Sequence, residues 1–265
     1  MPLFLHHLIL SVAFAFTTWL IYLKIKHTSL IDINWVLGFF SLCLYDYIVY
    51  PSYFLTPDKY FKLTFFHVIL LVLVGVWAMR LACFFAITRV LPGIQDTRYN
   101  YLKKSYKKNK EFNLLLNYLF QAFLQALLAS VFLLGFYVRD VNMGGVVVGA
   151  IIASVAIIGQ AVADYQLYAF KKVDTSNGVC KTGLWYYSRH PNYFFEISFW
   201  FGLAVLFYAA TQNALGFLAP FYMYVIMRFL TGPLTEKISI AKRGALYLEY
   251  KKSTPMIFLN IFKGK

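Results

Sequence analysis

The sequence predicts an all-α, polytopic membrane protein with seven transmembrane helices, on three observations. Of its 265 residues 60% are hydrophobic and only 14% charged, a balance outside the range of soluble domains. The apolar residues are gathered into runs of sixteen to twenty-seven, and a run of about twenty crosses a hydrocarbon core of roughly 30 Å. Finally, the basic residues fall mostly between these runs, as the topology of a membrane protein requires.

In chain order the expected spans are Leu3 to Leu23, Trp35 to Tyr50, Leu63 to Thr88, Leu114 to Tyr137, Gly144 to Phe170, Tyr193 to Ala210 and Leu215 to Leu230. No basic residue precedes the first run and no small-residue cleavage site follows it, so it reads as a retained span. With the N-terminus outside, twenty of the 25 lysines and arginines lie on the inner side. Lys59, Lys62 and Arg139 lie outside, and Arg80 and Arg228 fall within spans. The expected orientation is therefore N-out, C-in. The chain reads as a single integral membrane domain over residues 1–265, with four spans in 1–140 and three spans and a tail in 141–265. Bacterial inner membrane and endoplasmic reticulum fit equally.

A net charge of +14 does not point to nucleic acid, because no basic stripe is interleaved with aromatic residues in a soluble module. Cys43, Cys83 and Cys180 show neither CxxC nor metal-ligand spacing, so no metal is expected. The run Lys103 to Lys110 is expected to face anionic headgroups. Small residues Gly145, Gly149, Ala153, Ala156 and Ala163 suit close helix packing, and Gln121 and Gln125 suit hydrogen bonds between helices. His67 is expected to be a packed, satisfied residue.

The most informative stretch is GLWYYSRHPNYFFE, Gly183 to Glu196. It places Arg189, His190, Asn192 and Glu196 at the entrance of an apolar span, where ionisable groups are costly unless paired or wetted. Pro191 suits the first turn of a helix, whose free N–H groups and dipole attract phosphate or carboxylate. Asp164, Arg228 and Glu236 are expected at the same depth as this mouth, with Arg80 also in the inner half of its span. Charges of both signs converging on the cytoplasmic half imply a pocket there rather than seven independent helices.

VADYQLYAF (Val162 to Phe170), GLWYYSRHPNYFFE and PLTEK (Pro233 to Lys237) resemble the DUF1295, steroid 5α-reductase-like membrane family. MRLACFFAITR (Met79 to Arg89) and QDTRY (Gln95 to Tyr99) extend the likeness upstream, and KRGALYLEYKKSTP (Lys242 to Pro255) resembles the ending of sterol reductases. The resemblance implies an NADPH-dependent reductase of a carbon–carbon double bond conjugated to a carbonyl, acting on a lipidic substrate. It carries cofactor contacts onto Asp164, Asn192, Glu196 and Arg228. Arg189, His190 and Tyr193 follow from the branch with a full RHPNY, Glu236 from PLTEK, and Tyr247 and Tyr250 from the tail. Phe195 stands where the family usually has Gly, and Trp77 where the steroid reductases have a tyrosine, so steroid specificity does not carry over. No residue is assigned as proton donor; Asp32, Asp46, Tyr47 and Tyr99 are the candidates, with Asp32 also placed to cap the second span and Asp46 to pair within the bundle.

Isoprenylcysteine and phospholipid methyltransferases share an RHP-x-Y block before a span, a glutamate after the last span and a Tyr-x-x-Tyr tail. They use S-adenosylmethionine, so methyl transfer is the competing expectation, with a non-enzymatic lipid-binding scaffold as the third. ADYQ (Ala163 to Gln166) and the count of seven spans favour the reductase.

Overall fold

The computed structural model describes residues 3–49, 57–138, 141–174, 176 and 178–260. Tyr50, Arg139 and the lysines at 263 and 265 lie outside the described residues, as do the side chains of Lys59 and Lys62. The described residues are helical, with no strand among them. The helices are α1 (Leu3–Ile25), α2 (Leu30–Val49), α3 (Pro57–Phe85), α4 (Thr97–Ser105), α5 (Lys110–Ala129), α6 (Met143–Val173), α7 (Leu184–Tyr187), α8 (Pro191–Thr211), α9 (Leu218–Val225), α10 (Gly232–Arg243) and α11 (Ala245–Ser253). Two π-helical turns, Ala86–Val90 and Ile226–Thr231, continue α3 and α9. Each carries an arginine, Arg89 and Arg228. Such turns are rare and recur at functional sites.

Seven helical segments are long and apolar enough to cross a membrane, and the protein is a multi-pass integral membrane protein. Two boundaries differ from the sequence expectation for a physical reason. The second span begins at Leu30 rather than Trp35, because its polar residues are satisfied inside the fold. Asp32 accepts from three side chains and Asn34 accepts from Thr18 Oγ1 at 3.1 Å. Asp32 thus lies within the first turn of α2, where its carboxylate serves arginines rather than capping the helix. The seventh span runs on from Leu230 through the π turn to Arg243, since Pro233 falls in the first turn of α10, where its missing N–H is harmless.

The chain forms two compact units. Unit 1 comprises 1–150 and 205–216, and unit 2 comprises 151–204 and 217–265.

In unit 1, α1 packs along α5 and α2 packs on α3 and α1. Buried Ala15, Tyr22, Ile31, Tyr99, Leu114, Tyr118 and Ala122 form one cluster. A second region is aromatic, with Trp77 edge-on to Phe39 at 5.9 Å and Phe66 edge-on to Phe207 at 5.6 Å. Gln125 of α5 donates to the carbonyl of Trp35 at 2.7 Å, fitting against Gly38, which has no room for a Cβ. It is the interhelical bond the sequence suggests, whereas Gln121 donates to Asn117 within its own helix. Gly145 sits against Ala209; further along α6, in unit 2, Ala153, Ala156 and Ala163 are buried, as close packing demands.

The polar residues of unit 1 are grouped at two places. Asp32 accepts from Arg89, Arg98 and Tyr99 at 2.7 to 2.9 Å, and Asp96 accepts from both arginines. Asp46 is hydrogen-bonded to the fully buried His7 at 2.9 Å, so it does pair within the bundle. Tyr47 lies beside His67, rings 5.9 Å apart.

Unit 2 is built from the rest of α6, α7, most of α8, and the segment from α9 to the tail. Trp185 donates from its indole to Ala163 O at 2.9 Å, and Tyr250 donates to the carbonyls of Trp185 and Ser188. The tail is laced to the α7–α8 connection by Arg189 N to Pro255 O at 2.9 Å and Asn260 N to Tyr187 O at 3.0 Å. These bonds hold the mouth of α8.

Candidate functional site

The mouth is shaped by a glycine. Gly183 adopts φ +59, with the Gln166 side chain packed where a Cβ would project. Gln166 Oε1 accepts from Leu184 N at 2.9 Å, which anchors the α7 turn. Ser188 is extended (φ −146, ψ 147), and its backbone direction sends Arg189 and His190 inward before Pro191 starts α8. Both side chains are buried.

Arg189 is clamped by protein partners. Its Nε and Nη2 donate to Glu236 Oε1 at 2.7 and 2.6 Å, and its Nη1 donates to the carbonyls of Lys251 and Thr254. Lys251 Nζ completes the group at 3.1 Å from Glu236 Oε2. One guanidinium therefore joins the mouth of α8, the first turns of α10 and the end of α11. Breaking such a buried pair leaves an uncompensated charge and costs several kcal/mol.

His190 Nε2 lies 3.6 Å from the same Glu236 oxygen. Burial pushes the imidazole below its ordinary pKa, and Glu236 opposes that shift without reversing it, so the ring is neutral at pH 7. It stacks on Tyr193 with centroids 4.7 Å apart and planes 9° from parallel. Tyr193 Oη is 3.4 Å from Thr235 Oγ1.

Two further groups line α6 and α8. Asn192 Nδ2 donates to Asp164 Oδ1 at 3.3 Å. Glu196 accepts from Gln160 Nε2 at 2.5 Å and from Trp200 Nε1 at 3.0 Å. Gln160 was not among the expected site residues. Its place one helical turn before Asp164 is the signal that would have found it, since i and i+4 share a face.

Arg228 leads to the cavity of unit 2, which has a volume of about 380 Å³ and is lined by Arg228, Pro233, Glu236, Lys237, Ile240, Lys251 and Met256. Among the described residues Arg228 makes no ion pair; its guanidinium lies 5.4 Å from the ring of Phe229. Lys237 and Lys251 were also absent from the expected site. Lys237 stands beside Glu236 in sequence, but nothing local marks Lys251, which arrives by the fold of α11. Gly232, next to the lining residue Pro233, has no room for a Cβ, because Met256 and the carbonyl of Met227 occupy that space. Tyr247 and Tyr250 are buried in α11, rings 6.0 Å apart. Burial, with the Glu236 charge second, pushes the Tyr247 phenol up to about 12.

Unit 2 thus brings Arg189, His190, Glu236 and Arg228 to one cavity wall and its support, and holds Asp164 with Asn192 and Glu196 with Gln160 on the adjoining helices. Asp32, Asp46, Tyr47, Tyr99 and Arg80 belong to unit 1.

A family model described as a protein of unknown function, DUF1295, matches residues 18–254. The chain belongs to the DUF1295 family. That match spans every residue of the mouth, the cavity wall up to Lys251 and the polar network of unit 1. No curated protein and no solved structure matches this DUF1295 chain.

Proposed function

We propose that this DUF1295 protein is a membrane-embedded, NADPH-dependent reductase of a carbon–carbon double bond conjugated to a carbonyl in a lipidic substrate. The observation that carries the reading is the charge of the cavity. Arg228, Lys237 and Lys251 line it with one carboxylate, Glu236, which Arg189 and Lys251 share, so the cations outnumber it. Surplus positive charge in a partly enclosed site favours a polyanion such as a dinucleotide phosphate. It disfavours S-adenosylmethionine, whose reacting sulfonium is cationic. The resemblance to the steroid 5α-reductase-like proteins supports the same choice.

When bound, NADPH supplies the hydride that adds to the β-carbon of the enone. The chain's own residues do the holding. Arg228, which makes no ion pair among the described residues, offers a fork for a phosphate, with Lys237 and Lys251 as point charges beside it. Arg189 positions rather than binds: it fixes Glu236 and the tail that carries Lys251. Neutral His190 and Asn192, at the start of α8, offer polar contacts without adding charge.

The test is thermal unfolding of the purified protein in mild detergent with NADPH, NADH or S-adenosylmethionine. A ligand at 100 times its Kd adds about 2.7 kcal/mol to stability. Stabilisation by NADPH, reduced in an Arg228→Ala variant that keeps the wild-type melting temperature without ligand, is the expected result. Stabilisation by S-adenosylmethionine alone would overturn hydride transfer in favour of methyl transfer. No response to any of the three would leave the lipid-binding scaffold.

A further inference from the structure

Two segments of unit 1 bring lysines to one buried ring. Lys26 follows α1 in a left-handed conformation (φ 59), and Lys103 sits in the last turn of α4. Their ammonium groups lie 5.6 and 4.6 Å from the ring centroid of Tyr22, which is fully buried. Glu111, in the first turn of α5, is 3.2 Å from Lys26. Exposed Lys104, Lys107, Lys108 and Lys110 surround them, where the chain turns through Asn109 at φ 49.

Topology accounts for lysines on one side of a membrane. It does not account for two ammonium groups meeting over one immobile ring, which is a local geometry and not a charge bias. A single carboxylate serves the pair. Burial lowers the pKa of Lys103 below the ordinary lysine range; the charge of Glu111 opposes this, and the smaller effect of Lys26 adds to it. An added anion would favour the charged ammonium against that burial.

The helix that Lys26 follows, α1, and the helix that carries Glu111, α5, present exposed apolar side chains. Leu20, Ile21 and Ile25 of α1 and Phe112 and Leu116 of α5 are exposed, and α1 and α5 pack along one another. Cations beside an exposed apolar seam match an amphiphile with a charged head.

We propose that the Lys26–Lys103 pair over Tyr22 is a binding site for the phosphate headgroup of an anionic phospholipid, whose acyl chains lie along the exposed faces of α1 and α5. Glu111 competes with the phosphate for Lys26. The site is independent of the cofactor reading, because it lies wholly within unit 1.

The test uses the full chain in nanodiscs of phosphatidylcholine, alone or doped with phosphatidic acid, with the retained lipid measured by native mass spectrometry. Two lysines near an anionic lipid are worth about thirtyfold in affinity. Lys26→Gln with Lys103→Gln should lose phosphatidic acid by about that factor, whereas the equally charged control, Lys242→Gln with Lys252→Gln, should retain it. Glu111→Gln should bind more tightly, and this result stands even if the double lysine variant fails to fold. Inorganic phosphate competing as well as the lipid would show that the acyl chains contribute nothing. That outcome, equal loss in the control pair, or no tightening in Glu111→Gln would each overturn the proposal.

Discussion

The ring of Phe195 on α8 fills the space left by the missing side chain of Gly159 on α6, so that a Cβ at 159 would overlap the ring. Turned toward α6, the Phe195 ring is taken up by helix packing, and Gly159 on the facing helix makes the room.

This pairing predicts strong coupling between the two positions. Gly159→Ala overpacks the contact and should cost about 2 kcal/mol, and Phe195→Ala leaves a void and should cost about 2 kcal/mol. The double variant should be more stable than the sum of the two implies, by about 1 kcal/mol. Thermal unfolding of the four proteins measures this, and strict additivity would show that the ring and the glycine do not share one space.

Arg189 and Glu236 are predicted to be structural first. Arg189→Ala strands a buried carboxylate and releases the tail from the α8 mouth, at a cost of about 3 kcal/mol. Arg189→Lys should recover only part, since an ammonium cannot donate to Glu236 and two carbonyls in the same fork geometry. Limited proteolysis within residues 245–260 should accelerate in both variants, and protection equal to wild type would remove Arg189 from this role.

The Asp96 network carries a pH dependence whose sign is fixed. Burial opposes its ionisation, but the Arg98 and Arg89 charges and the Arg98 N–H hold the carboxyl well below the usual carboxylate range. A group with a depressed folded pKa stabilises the protein above its unfolded pKa, about 3.9, and loses that contribution as pH falls through and below it. Melting temperature should therefore drop on acidification below about pH 4. Asp96→Asn should start lower at neutral pH and fall less over the same range. A variant whose acid profile parallels wild type would assign the fall to other carboxylates.

Arg228→Ala is predicted to weaken NADPH by about tenfold, the worth of one charge-assisted contact, while leaving the unliganded melting temperature within error, because Arg228 forms no ion pair among the described residues. Fluorescence titration of the cofactor reads the first quantity and differential scanning the second. An unchanged titration would take Arg228 out of the cofactor's reach.

What the sequence determines by itself is local or compositional. Hydropathy over runs of about twenty residues sets the seven spans, because each must satisfy its own backbone hydrogen bonds within the bilayer. The block from Gly183 to Glu196 declares itself by its polarity at a helix entrance. Asp46 could be read as paired, since an intramembrane carboxylate needs a partner, although nothing local names His7. The tertiary structure alone decides which groups meet. Arg189 reads as an open donor fork in sequence and is filled by Glu236 and two tail carbonyls. Asp32 reads as a helix cap and serves two arginines and a tyrosine. The two π turns, the arrival of Lys251 at the cavity and the meeting of Lys26 with Lys103 over Tyr22 leave no local signature. They depend on which helix faces pack, and that choice is made by side-chain volume and buried charge pairing across separations that no sequence window spans.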